Sequence, residues 1–347
     1  MNPPNSRQAL LFIVTFGLAI GAAGPATLAR QKAPPVAYAA PPDRSPAASV
    51  GLPDRMIADA AAYDGYIAHV TATSPVFTDG ASVADALLSS ASYQPRALIR
   101  GAVAYGAVAA LGSSDFVAAL RAVGASSENR RLMVNYILSD PTYAFKFKGS
   151  DKAAGLVKEA LGAAALRLFA TGKTIKQSAY AIQHQTWSRG EISNRSGRLA
   201  AVEAAETNGL PAAADRVGII DRAAREAQPL DLTAPPAKPP YTPLVAQALQ
   251  LAAIAAIGEA NDNTYDRLSA LTQESNTDTC LHMAKLNLYQ CLAVAKPHYE
   301  DVFCMGQHAM IDTGRCIARN AGLDLPIDAS PAPEATAAAP APRHHRG

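Results

Sequence analysis

An all-α fold, a multi-helical array of helical hairpins closed by a C-terminal disulfide-stapled antiparallel hairpin, is predicted by three features of the sequence. Apolar residues recur at helical spacing through most of the chain, and no sustained alternation of β-branched residues appears. Alanine is abundant and aromatics make up only 6% of the 347 residues, which favours close packing of small-faced helices. All four cysteines, Cys280, Cys291, Cys304 and Cys316, fall within residues 277–320.

The first segment has the layout of a secretory signal peptide, assigned to residues 1–29. Arg7 gives a positive start, Ala9 to Ala23 is uncharged and mostly apolar, and Thr27 to Ala29 offer small residues before a cleavage point at Arg30. The run is shorter than the roughly 20 residues a membrane-spanning helix needs. Later apolar runs are interrupted by charge, Gly or Pro, so no membrane span is expected after signal removal. Residues 30–54, rich in Pro and Ala, read as a disordered linker.

A helical domain is expected over 55–227. Its candidate helices run 56–72, 80–91, 95–112, 113–124 and 126–141. Pro95 stands at the start of one and Gly112 at its end, where each residue type is favoured. Residues 141–149 alternate aromatics with Lys146 and Lys148 and read as a short strand or extended connection. A pair of helices, 150–172 and 173–189, is expected to break around Gly172, followed by helices at 197–209 and 211–227.

The prolines of 228–243 cannot continue a helix and favour polyproline II, so this segment reads as a linker or belt. A second helical domain, 244–322, follows and includes the stapled hairpin at 278–320; residues 323–347 form a disordered Pro/Ala tail. Tyr93-x-Pro95 and Tyr241-x-Pro243 each introduce an Ala-rich helix, an echo that reads as two generic hairpins, since no fixed period recurs.

Geometry chooses the cysteine pairing. Eleven residues of helix separate Cys280 from Cys291 by about 16 Å, beyond the roughly 7 Å a disulfide allows. Cys304 and Cys316 are excluded from each other for the same reason. In an antiparallel hairpin, opposed residues share one midpoint. Cys291 with Cys304 and Cys280 with Cys316 both centre on residues 297–298, at Pro297, whereas the crossed pairs share no centre. The bonds are therefore expected to be Cys291–Cys304 and Cys280–Cys316. One misfit stands out: twelve residues rotate Cys316 about 120° from Cys304 on an ideal helix. Gly306 or Gly314 is expected to adjust the second helix. Leu281, Leu288, Leu292 and Ala295 form a second stripe that should pack on the rest of the protein. The arrangement resembles the twin-cysteine helical hairpins of small oxidatively folded proteins over about 40 residues, with wider spacing than their nine-residue gaps. The resemblance implies a stapled structural module and no function.

His282, His298, His308, Met283, Met305 and Met310 surround the cysteines, but no zinc-type spacing is present, so no metal site and no cofactor is assigned. The "ATGKT" at 170–174 lacks the first glycine of a phosphate loop, and no catalytic motif of a hydrolase is found. No catalytic residue is assigned; His69, near Asp64 and Asp79 in sequence, is the acid–base candidate weighed. The ligand-binding candidates are Tyr180, His184 and Trp187, at i, i+4 and i+7 on one helical face.

Arg7 is the sole charged residue of 1–29, so its removal takes the formal net charge from +2 to +1. Such a balance gives no field to gather nucleic acid. The sequence thus leads to an exported, periplasmic, non-enzymatic scaffold or binding protein of a Gram-negative envelope, with an envelope protein or a glycan as partner. The runner-up is an envelope-acting hydrolase of peptidoglycan or glycan, using a carboxylate or His site.

Overall fold

The computed structural model of the chain describes residues 49–208, 214–225 and 228–325. The expected signal peptide, residues 30–48 of the expected linker and the tail from 326 onward lie outside the described residues; the end of that linker is not disordered, because Val50 and Leu52 are buried in the core. The elements are α-helical: α1 (Asp54–Thr71), α2 (Gly80–Ala91), α3 (Pro95–Leu111), α4 (Ser114–Val123) and α5 (Ser127–Ser139), then α6 (Ser150–Ile182), α7 (Arg195–Asn208), α8 (Ala214–Ala224) and α9 (Pro243–Ala256). A single turn α10 (Tyr265–Leu268) precedes α11 (Ser275–Val294). A last rod joins α12 (His298–Cys304), a π-helical segment (Met305–Asp312) and α13 (Thr313–Asn320). No strand occurs among the described residues, only an isolated bridge between Glu191 and Pro297.

Local chemistry sets the helix ends. Asp79 caps α2 in a reciprocal box with Ser82, and Ser126 accepts from Asn129 N at α5. Pro95 and Pro243 occupy first turns, where a missing N–H costs nothing. The helix α11 starts at Ser275, ahead of the hairpin expected from 278, because the carboxylate of buried Glu274 accepts from the backbone N–H groups of Asn276 and Thr277.

At the centre are α3 and α9, buried along most of their length. A Cβ on Gly106 would sit 3.1 Å from the Ala248 Cβ, so the two Ala-rich helices cross closely. No single helix among the described residues is long and apolar enough to cross a membrane.

Four expectations need correction. The helices expected at 150–172 and 173–189 form the continuous 33-residue α6, which ends at Ile182. Gly172 serves packing here: a Cβ on it would lie 2.8 Å from Gly306 O of the last rod. Second, residues 143–146 form a 3-10 turn with half-buried aromatics, and Phe145 meets Tyr241 edge-on at 4.7 Å. Third, residues 228–243 do not separate a pair of domains. They lie as a belt along α6, where Ala237 N donates to Asp151 O at 2.8 Å and Leu230, Leu232 and Ala234 cover Leu156 and Ala160. Fourth, helices from both sides of that belt enter one continuous core within one compact unit.

The hairpin forms as its spacing predicts. Cys280–Cys316 and Cys291–Cys304 are bonded, with Cα atoms 5.6 and 5.7 Å apart. The rotational misfit is absorbed by the π-helical segment, which lies entirely between Cys304 and Cys316. One inserted residue makes twelve positions behave as eleven, cutting the mismatch from about 120° to about 20°. Leu281, Leu288, Leu292 and Ala295 are all buried.

Glycine lets this rod lie backbone to backbone on α6. A Cβ on Gly306 would sit 2.6 Å from Lys176 N, and one on Gly314 would sit 2.9 Å from Ala165 O. Gly172→Ala and Gly306→Ala should each destabilise the fold by about 1–3 kcal/mol in urea unfolding. Gly65→Ala, in α1 with nothing within 4 Å of the new methyl, should stabilise by about 1 kcal/mol. Replacing Cys291 and Cys304 by Ser should cost on the order of 3 kcal/mol in the same assay.

Candidate functional site

The predicted face of Tyr180, His184 and Trp187 does not form, because α6 stops at Ile182. Tyr180 meets Phe303 edge-on at 6.2 Å. His184 is exposed in the following turn, and Trp187 tilts over His298 at 6.3 Å. The Trp187 ring N–H donates to Gln185 rather than to a neighbour on its own face. His69 pairs with Ser89 Oγ at the surface, and Asp64 pairs with Arg216 at 2.7 Å. No three metal-ligating side chains gather among the described residues. His282 contacts Asp278 and His308 contacts Asp312, each one helical turn along.

What the fold does assemble is a polar knot around the hairpin. Arg195 and Arg198, from the first turn of α7, reach the end of α11. Arg195 donates to Ala293 O and Ala295 O at 2.7 and 2.9 Å; Arg198 donates to Leu292 O. These carbonyls have no partner within the helix, and a cation there also matches the helix dipole. Arg198 pairs with Asp301 at 2.5 Å, both nearly buried. Burial pushes the Asp301 carboxyl up to about 6, against the pull of Arg198.

Further along, α7 brings Glu206 to a second buried centre. Lys285 of α11 is 3% exposed. It donates to Ala91 O, lies 4.0 Å from Glu206, and sits 4.3 Å from the ring centre of Tyr93. Tyr289, one turn along α11, donates to Glu206 Oε2 at 2.6 Å. The Tyr93 hydroxyl meets Thr313 Oγ1 at 2.9 Å, and Tyr66 stands edge-on to Tyr93 at 5.2 Å. Burial lowers the Lys285 ammonium to about 8, with Glu206 opposing, and raises the Tyr66, Tyr93 and Tyr289 hydroxyls.

Over this centre opens a cleft of about 170 Å³, lined among others by Asp59, Tyr63, Tyr66, Tyr93, Gln94 and Glu206. Asp59 pairs with Arg100 at 3.5 Å, yet burial keeps its carboxyl raised. The arrangement places aromatic faces and two carboxylates at one opening, with the lysine sealed beneath.

The sequence did hold a signal for this centre. On α11, Lys285 lies about 40° from Leu281, inside the apolar stripe. A lysine inside such a stripe must find partners in the core. No protein-family model, curated protein or solved structure matches this chain.

The lysine gives a pH test. Its folded value, about 8, lies below the ordinary 10.5, so the folded chain holds fewer protons in that window. Stability therefore rises with pH through the window. The tyrosines oppose this only as pH nears their ordinary value of 10.0, because their folded values are raised. Urea unfolding from pH 8 toward 10 should show a steeper rise for the wild type than for Lys285→Met.

Proposed function

We propose that this chain is an exported, periplasmic helical scaffold or binding protein of the bacterial cell envelope, acting without chemistry of its own, with the Tyr-lined cleft as its binding surface. The observation that carries this reading is the state of Lys285. Its ammonium is committed to Ala91 O, Glu206 and the Tyr93 face and is sealed from solvent, so its lowered pKa reflects a core contact rather than a poised base. The cleft above it combines aromatic walls with a few converging polar groups, the usual make-up of a binding site. Two disulfides and no free cysteine among the described residues agree with an oxidising compartment.

One observation favours hydrolysis of peptidoglycan or glycan instead: Asp59 and Glu206 are two carboxylates on one cleft. Under the binding reading, envelope glycan remains intact in a zymogram with wild-type protein. A clearing that disappears in Glu206→Gln would establish the hydrolase.

The binding reading is tested by cross-linking and co-purification from envelope extracts, with sequencing of the mature N-terminus. A start at Arg30 is expected. So is a partner, protein or glycan, whose capture falls with Asp59→Asn. Retention of the first 29 residues in soluble cytoplasmic protein, or capture indifferent to the cleft, would contradict it.

A further inference from the structure

The cleft's lining carries more information than the presence of a site. None of the side chains lining it is a lysine or arginine, and the wall is rich in acceptors. Asp59 Oδ2 lies 3.5 Å from Arg100 Nε, and Glu206 takes the Tyr289 hydroxyl on Oε2, with the Lys285 ammonium 4.0 Å from the same oxygen. Among the described residues, no hydrogen bond reaches the second oxygen of either carboxylate. Gln94, exposed at the rim, adds an amide oxygen. Tyr66 and Tyr93 offer ring faces and edges, and Ala62, Ala97 and Leu98 complete an apolar wall. The protein already sets one cation on this aromatic group, since Lys285 lies over Tyr93. The space left, about 170 Å³, is the size of one long side chain rather than of an oligomer.

We propose that the cleft receives an alkyl cation, a guanidinium or primary ammonium on a short apolar stem, with its head between Asp59 and Glu206 and its stem along Tyr66 and Leu98. This rests on the binding reading given above and names the ligand chemistry of that same site. A desolvated cation over tyrosine, flanked by carboxylates that each keep an oxygen free of hydrogen bonds from the described residues, gains from both terms at once. The raised Asp59 carboxyl points the same way: burial raises it against the pull of Arg100 and Arg55, so a further cation beside it would be favoured. A neutral sugar could use the hydroxyl acceptors but would add no positive charge beside the buried carboxyl. The cation could belong to a free small amine or to an Arg or Lys side chain of a protein partner.

The test is an NMR titration of the full-length mature protein, following tyrosine ring resonances. The probes are n-butylguanidinium, an acetylated Gly-Arg-Gly amide, and n-pentanol as the neutral control of similar length. The proposal expects millimolar or tighter binding of both cations, weakened by added salt, and no response to n-pentanol. Asp59→Asn and Glu206→Gln should each weaken cation binding by about tenfold or more. Tighter binding of the peptide assigns the cation to a partner's side chain, and equal binding assigns it to a small amine; both support the site. Equal responses to n-pentanol and n-butylguanidinium, or no response of the wild type to either cation, would overturn the proposal without needing any variant to fold. Loss of partner capture in Asp59→Asn alongside a negative titration would leave the binding reading standing and remove the cation. A positive titration with no envelope partner would do the reverse.

Discussion

The near-contact of two backbones governs this fold. α6 and the last rod approach so closely that Gly172 and Gly306 face each other with no room for a methyl on either. Dispersion between backbone atoms at that distance is strong only if the partners hold a fixed register. The rod holds its register because Cys304 and Cys316 tie it to α11, and they reach α11 together only because the π-helical segment lies between them. Glycine, disulfide and π-helical turn are thus one device: the first permits the approach, the second fixes the rod, and the third reconciles the two cysteine rotations.

That device places the polar centre. With the rod on α6 and α11 stapled to the rod, Thr313 is carried to Tyr93 and Lys285 is carried under Ala91 and Glu206. A charge this deep is costly unless it is paired and hydrogen-bonded. The cost is offset locally by Glu206, the Tyr93 face and a backbone carbonyl. The wall that supplies Glu206 is α7, which buries Val202 completely, packs Leu199 against the core, and is tied to α11 through Arg195, Arg198 and Glu206.

The hairpin was legible in the sequence because opposed residues in an antiparallel pair obey one arithmetic, and four cysteines overdetermine it. The all-α class was legible from periodicity. Gly172 misled because a glycine that ends a helix and a glycine that admits a neighbouring helix look alike in one dimension; only Gly306 tells them apart. Tyr180, His184 and Trp187 shared a face only as long as α6 continued, and Ser188 instead turns its hydroxyl back onto Ile182 O as the helix ends. The prolines from 229 to 240 correctly excluded helix, but an extended chain can lie against a core as readily as it can separate two. Lys285 was visible as a charge inside an apolar stripe. Its partners Glu206 and Tyr93 come from segments far off in the chain, which no local pattern joins.

Hydrogen–deuterium exchange with and without reductant probes the dependence of α6 and the cleft on the stapled rod most directly. If the account holds, opening the disulfides speeds exchange in the rod, in the middle of α6 around Gly172, and around Tyr93 and Lys285 together. Faster exchange confined to the hairpin, with α6 and the Tyr93 region unchanged, would contradict it.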